Sequence, residues 1–185
     1  MTEYTLHTAE TAPADSKPLL EKSKASYGMV PNLHAVMAEA PSVLEAYQTV
    51  GGLFENSSLN AEEITVVWQT INVENECHYC VPAHTAVAHG MKVDAAISEA
   101  LRNGTALPTP KLEALRTFTL QVVRERGHLD GATVQAFLDA GFTKRQILEV
   151  ILGYSQKIMS NYINHIADTP LDAPFQKFDW KPQAA

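Results

Sequence analysis

NAEEITVVWQTINVENECHYCVPAHTAVAHG, residues 60–90, contains both cysteines of the chain and decides how the remainder is read. It opens on Asn60, whose side-chain oxygen can accept from free first-turn amides, and on Glu62 and Glu63, whose charge suits a helix N-terminus. Ile64, Val67, Trp68 and Ile71 then recur at i, i+3, i+4 and i+7, which predicts a helix through Val73. The β-rich run Val66-Val67-Trp68 leaves a strand as the alternative. In the second half Pro82 would break a helix interior but is tolerated in a first turn, where amides have no intrahelical partner. A helix there therefore starts near Glu76 or Cys77 or later, and it ends at Gly90.

The same period extends outward in both directions. Leu33, Val36 and Met37 form one stripe, and Val43, Leu44 and Tyr47 another after Pro41, with a turn expected around Gly51 and Gly52. DAAISEALRNG closes on Gly104, Thr109 caps a helix started by Pro110, and Thr143 caps a long last helix with Ile147, Val150, Ile151, Tyr154 and Ile158 on one face. At an offset of 51 residues AVAHGMKVDAAISEALRNG lines up with FLDAGFTKRQILEVILGYS, so Gly90 meets Gly141 and Met91 meets Phe142. The cysteines have no counterpart in the second copy, so this echo describes architecture rather than two sites. The expectation is an all-α chain: an N-terminal arm over 1–30, a helical thiol-redox domain over 31–168, and a C-terminal tail over 169–185. The arm reads as loosely ordered or wrapped, and the tail cannot extend the last helix past Pro170. Leu171, Phe175, Phe178 and Trp180 are costly to leave wet, so the tail is expected across a neighbour or its own body.

A formal charge of −7, from 21 acids against 14 bases, disfavours a phosphate backbone as partner, so no nucleic acid is expected. No apolar stretch approaches the roughly 20 residues that span a bilayer, and the amino terminus lacks the basic start and apolar run of an export signal. No membrane association and a cytoplasmic location are the expectations. Two cysteines separated by two residues close too short a loop to staple a chain of 185 residues. Redox chemistry and metal binding remain.

For redox chemistry a thiol must act as its thiolate, which a helix start, a cation or a hydrogen bond favours. With the cysteines at a helix start, Cys77 lies one turn from Cys80 and His84 four residues further along the same face, able to accept or return its proton. Cys80 would attack a hydroperoxide and Cys77 resolve the sulfenic acid, leaving a disulfide for an external dithiol or protein reductant. Tyr79 could order a water or the peroxide, and His78 could tune the field, although a polar helix rim explains both. Glu63, Glu74 and Glu76 are candidate proton acceptors, with helix-start charge as the plainer account of Glu63 and capping that of Glu76. Zinc on Cys77, Cys80, His84 and either His89 or Glu74 is the rival chemistry, weakened by the absence of a second Cys-x-x-Cys. In NYINHIA, Asn161 and His165 are i, i+4 partners in either a catalytic or a structural knot, and His7, His34 and His128 read as rim or loop residues.

CHYCVPAH preceded by LNAEEITVVWQ resembles the signature of the alkylhydroperoxidase D-like superfamily, which includes the carboxymuconolactone decarboxylases; the match runs from roughly Leu53 to Gly104. PNLHAVMAEAP, LEALRTFTLQVVRERG, AFLDAGF and NYINHIADTPLD resemble a longer, peroxidase-related subgroup and extend the likeness over most of the chain. The resemblance implies an all-α helical bundle with the internal pseudo-repeat, a homo-oligomer, and no metal or organic cofactor. A dimer is the first expectation, from the apolar tail, with trimer or hexamer from the family. By the same resemblance Cys80 is the peroxidatic cysteine, Cys77 the resolving one and His84 the relay. Two positions depart from the pattern: the glutamate expected twelve residues before the first cysteine is Thr65, and a histidine often found before the second cysteine is Tyr79. Glu63 points roughly 160° away from Thr65 on a helix and is no automatic substitute. The expected function is thiol-dependent hydroperoxide or disulfide reduction. A redox-sensing binding protein, a zinc protein and a decarboxylase-like enzyme are the alternatives.

Overall fold

The computed structural model describes residues 3–182, so the extreme ends of the arm and tail, 1–2 and 183–185, lie outside the described residues. Nine α-helices are formed within this range: α1 (Lys17–Tyr27), α2 (Asn32–Met37), α3 (Pro41–Glu55), α4 (Ala61–Glu74), α5 (Cys80–Gly90), α6 (Ala95–Asn103), α7 (Pro110–Arg124), α8 (Gly131–Asp139) and α9 (Lys144–Ala167). No strand occurs among the described residues, so the Val66-Val67-Trp68 ambiguity resolves as helix. The order α4–α5–α6 is followed by α7–α8–α9, whose starts lie 49, 51 and 49 residues later, close to the 51-residue offset read from the sequence.

Local chemistry explains where these helices begin. Asn60 and Glu63 form a reciprocal capping box at α4, Thr143 and Gln146 form another at α9, and Thr109 accepts from the Leu112 amide at α7. The N-terminal arm contains α1, which the sequence reading did not resolve. Pro18 sits in its first turn and Gly28 closes it at φ 73°, a left-handed conformation that glycine adopts without strain.

Helix α4 is the hub, with Val66, Val67 and Ile71 completely buried among α5, α6, α7 and α9. One apolar cluster joins α4 to Phe118, Phe137 and Phe142, whose rings stack in sequence. A second cluster, around Leu33, Met37, Leu44 and Tyr47, encloses Cys77, Tyr79 and Cys80. Helix α9 presses closely on α3: a β-carbon on Gly153 would lie 2.7 Å from the Phe54 ring, and one on Gly51 would lie 2.6 Å from Gln156 Nε2.

The face α9 buries differs from the stripe expected from its isoleucines. Gln156, Lys157, Ser160, Asn161 and Asn164 point inward beside Val150, whereas Leu148, Ile151, Tyr162 and Ile166 are exposed, Ile166 to 70%. Polar partners supplied by α4 and α5 outweigh the local apolar pattern. Leu53 of α3 is exposed as well.

The tail packs on its own protomer, which removes its apolar residues as a reason for association. Trp180 is buried with its indole N–H donating to the Arg102 carbonyl, and the Arg102 guanidinium donates to the Phe178 and Asp179 carbonyls. Phe175 meets Tyr79 edge to face and Phe178 meets His89. Among the described residues no helix is long and apolar enough to cross a membrane.

Candidate active site

The cysteine pair is placed by how α4 ends. Asn75 is its C-cap, Glu76 follows at φ 52°, and the amides of Glu76 and Cys77 return to the carbonyls of Val73 and Asn72 at 2.9 Å each. This is a Schellman closure with glutamate where glycine is usual, at a backbone cost of about 1–2 kcal/mol. The turn delivers Cys77 beneath the start of α5, where the Cys80 amide donates to Cys77 Sγ at 3.2 Å. Both thiols are free, with Cys77 completely buried and Cys80 2% exposed.

The sulfurs are held by α9. Asn164 Nδ2 donates to Cys80 Sγ at 3.2 Å and lies 4.0 Å from Cys77 Sγ. Its neighbour one turn back, Asn161, is fixed by amide pairing: it donates to Asn72 and accepts from Asn75, each at 2.9 Å. Burial would push the Cys80 thiol up, but the Cys77 thiol, the Lys157 charge and the Asn164 and Asn161 amides outweigh it and hold Cys80 down to about 6. Cys77 moves the other way, because it keeps the hydrogen bond to Cys80 and is itself desolvated. The pair therefore carries one proton near neutral pH, on Cys77.

Lys157 is the residue that the sequence reading missed. It is completely buried, its ammonium lies over the Trp68 and Tyr47 rings at 5.7 and 5.9 Å, and burial draws it down to about 8 against the pull of the thiolate. Its Nζ is 2.5 Å from His84 Nε2. An ammonium only donates, so Nε2 accepts and the ring proton of the neutral imidazole sits on Nδ1. Burial and the Lys157 charge both hold His84 well below its ordinary value. His84 Nδ1 is a buried donor with no partner among the described residues.

A cavity of about 330 Å³ reaches these groups. Cys80 and His84 line it together with the rings of Tyr27, Tyr47, Trp68 and Phe175. Pro31 from the approach to α2 and Pro174 from the tail complete its walls. Cys77 is not on its surface, so a molecule in the cavity meets Cys80 first.

The geometry separates the candidate residues into two groups. Cys80, Cys77, His84 and Tyr79 are brought together, but His84 pairs with Lys157 rather than with the sulfur. The Tyr79 hydroxyl accepts from the Leu33 amide and donates to Asp172 Oδ2 at 2.5 Å, while Asp172 also accepts from the Asn32 amide, so Tyr79 ties the tail to α2 and α5. Glu63 and Glu74 lie elsewhere. Glu63 closes the α4 capping box and pairs with Lys111 at 2.7 Å, and Glu74 forms a bidentate pair with Arg124 on the surface. The rival zinc set lacks its fourth ligand: Glu74 is engaged by Arg124, His89 packs on Phe178, His84 is paired with Lys157, and among the described residues no group of three or more His, Cys, Asp and Glu is set to hold a metal. His34, read as a rim residue, is instead buried in the cavity wall with Nδ1 2.8 Å from Ser23 Oγ; burial takes it down to about 4, so it is neutral. His165 is exposed, and Asn164 takes the inward place in its motif.

No protein-family model and no curated protein matches this chain significantly. Solved structures do match. A protein from Ralstonia eutropha JMP134 described as an alkylhydroperoxidase AhpD core, uncharacterised and peroxidase-related, superposes with a TM-score of 0.83 at 19% identity, covering 94% of this chain and 93% of its own. An uncharacterised peroxidase-related protein from Silicibacter sp. TM1040 matches at 0.79 and 20% identity over 94% and 95% of the two chains. The debrominase Bmp8, solved as a cysteine-to-alanine variant with 2,3,4-tribromopyrrole, matches at 0.78 and 15% identity over 96% and 95%.

Proposed function

We propose that this chain, which has the alkylhydroperoxidase D-like fold, is a thiol peroxidase that reduces hydroperoxides at Cys80 and passes through a Cys77–Cys80 disulfide without metal or organic cofactor. The observation that carries the reading is the pair of unlike sulfurs, Cys80 on the cavity wall accepting from Asn164 and Cys77 behind it accepting from the Cys80 amide, beside the buried Lys157; this surrounding lowers Cys80 and raises Cys77. The thiolate attacks one peroxide oxygen, an S–O bond forms, the O–O bond breaks, and an alkoxide leaves. His84 Nδ1–H gives the alkoxide a proton while Lys157 returns one to Nε2, so the imidazole bridges ammonium and leaving group. Cys77 then displaces hydroxide from the sulfenic acid, which departs as water with the Cys77 proton. The sum is hydroperoxide, two sulfurs sharing one proton and an ammonium giving alcohol, water, disulfide and a neutral Lys157. A cavity of about 330 Å³ suits a hydroperoxide with an organic body better than hydrogen peroxide. A dithiol reductant and a reducing compartment such as the cytoplasm complete the cycle.

The test is single-turnover thiol loss with cumene hydroperoxide, followed by dimedone trapping and mass spectrometry. The native chain is expected to lose both thiols, Cys77→Ser to accumulate sulfenic acid on Cys80, and Cys80→Ser to stay inert. Sulfenic acid on Cys77 with an inert Cys80 reverses the roles, and no thiol loss ends the reading.

The ring-lined cavity and the tribromopyrrole-bound neighbour favour one second reading, reductive dehalogenation. Here the Cys80 thiolate and Cys77 thiol become a disulfide, a C–Br bond is replaced by C–H that takes up the Cys77 proton, and bromide leaves. Bromide release from a bromopyrrole, coupled to thiol loss, distinguishes it from peroxide reduction.

A further inference from the structure

A second cavity, of about 310 Å³, lies between α1 and α3 and shares Tyr27, His34, Tyr47, Glu55 and Gln156 with the first. The walls it does not share are of another kind: Lys22, Ser23, Ser26 and Gln48, with Gly51 and Gly52 exposing backbone. Gln48 Nε2 donates to the Leu19 carbonyl and Ser23 Oγ, leaving Gln48 Oε1 buried with no partner among the described residues. Water occupies about 30 Å³ per molecule, so this chamber has room for several and an acceptor to order them. Gln156 stands on the common wall with Oε1 accepting from the Trp68 indole at 2.8 Å, and Gly51 is what leaves space for its amide.

At the junction the final residue of α3, Glu55, is open to solvent on one side and lines both cavities. No hydrogen bond or ion pair engages its carboxylate among the described residues, and its charge acts on Lys157, which is buried behind the cavity walls. The other titratable groups facing it are Lys22 and Tyr27 of α1, the neutral His34 of α2 and Tyr47 of its own helix. Burial raises the Glu55 carboxyl, which brings it nearer to the range where it can exchange protons around neutrality.

Regeneration also takes up a proton from solvent. Thiols attack disulfides as thiolates, so the first thiol of a dithiol leaves its proton in bulk water, while the second enters the site within the mixed disulfide and brings its own. Regeneration is then dithiol monoanion plus enzyme disulfide, neutral Lys157 and one proton, giving oxidised dithiol, Cys77 thiol, Cys80 thiolate and Lys157 ammonium. That proton must enter a site whose sulfurs are almost wholly buried beneath an aromatic cavity. We propose that the second cavity is the proton inlet of the site, with Glu55 carrying protons at the junction between solvent and Lys157. The inference rests on the thiol-redox reading above, and Glu55 acts through Lys157, as a positioning residue.

The disulfide can be made with diamide, so the inlet is testable without a hydroperoxide. Re-reduction by dithiothreitol is followed in the native chain, Glu55→Gln, Glu55→Asp, and Gly52→Leu, whose side chain enters open space in the second cavity. Glu55→Gln is expected to slow re-reduction at least about tenfold and to show an enlarged solvent isotope effect, with partial rescue by added formate. Glu55→Asp should retain most of the rate, and Gly52→Leu should slow it with the carboxylate intact. Re-reduction of Glu55→Gln and Gly52→Leu within about twofold of the native rate across the pH range would overturn the inlet. That result leaves peroxide-driven thiol loss standing, whereas failure of cumene hydroperoxide with a normal diamide cycle defeats only the peroxidase reading.

Discussion

Lys157→Met is the substitution that most directly tests how Cys80 is activated. Methionine fills nearly the same buried volume and removes an ammonium that costs free energy to desolvate, so the variant should fold with an undiminished melting temperature. The Cys77 hydrogen bond and the Lys157 charge both lower Cys80, and a neighbouring opposite charge is worth about 1–3 pKa units, so losing Lys157 should move Cys80 from about 6 to about 8. The thiolate fraction at pH 7 then falls from about nine-tenths to about one-tenth, a loss of roughly tenfold in peroxide attack. A second loss comes from the leaving alkoxide, because His84 no longer receives the proton it passes on; absence of general acid catalysis costs about 100-fold or more. The two losses separate with pH: raising it toward 9 should recover the first and leave the second. Ultraviolet titration of thiolate absorbance reads the first, and stopped-flow oxidation by cumene hydroperoxide reads their product. A thiolate titration that coincides with that of the native chain would refute the role assigned to Lys157.

Single-turnover oxidation should follow a bell in pH. It rises as Cys80 deprotonates near about 6 and falls as Lys157 loses its proton near about 8, and a rate still climbing above the second value would exclude Lys157 as donor. Gly153→Ala would place a β-carbon 2.7 Å from the buried Phe54 ring, an overpacking worth about 1–3 kcal/mol, and should lower the melting temperature by about 3–10 °C in calorimetry. The outer stripe of α9, with Leu148, Ile151, Tyr162 and Ile166 exposed, is the face on which we propose that a second copy packs if the chain forms the homodimer expected from its sequence. Light scattering should give a dimer that Ile151→Glu with Ile166→Glu converts to monomer, and a native monomer at micromolar concentration removes the assembly.

The helices were legible because their ends are chemically marked. Asn60, Thr109 and Thr143 act as the caps their side chains suit, and three further helices follow within two residues of the offset the glycines suggest. Helix α1 carries similar marks in Pro18 and Gly28, but its charged, weakly periodic sequence resembles a loosely ordered arm. The cysteine pair and His84 were legible because CHYCVPAH puts them within one helix start. Lys157, Asn164 and Glu55 were not, since each belongs to the site only through the approach of α9 and α3 to α5. The available signal was the spacing of Lys157, Asn161 and Asn164 at i, i+4 and i+7, a polar stripe opposite the exposed isoleucines. Periodicity reports that a helix has two faces. It does not say which one a neighbouring sulfur will make the inner face.

The dependence of Cys80 on α9 has a consequence for biosynthesis. Lys157 is translated 77 residues after Cys80, and Asn164 later still, so at about 5–20 residues per second the cysteine pair spends about 4–15 s on the ribosome without its cation or its amide donor. Throughout that interval Cys80 is an ordinary thiol, largely protonated at neutral pH and slow to oxidise. The nascent chain is therefore protected by incompleteness: the segment that makes the sulfur reactive is the same one that encloses it, and both arrive together.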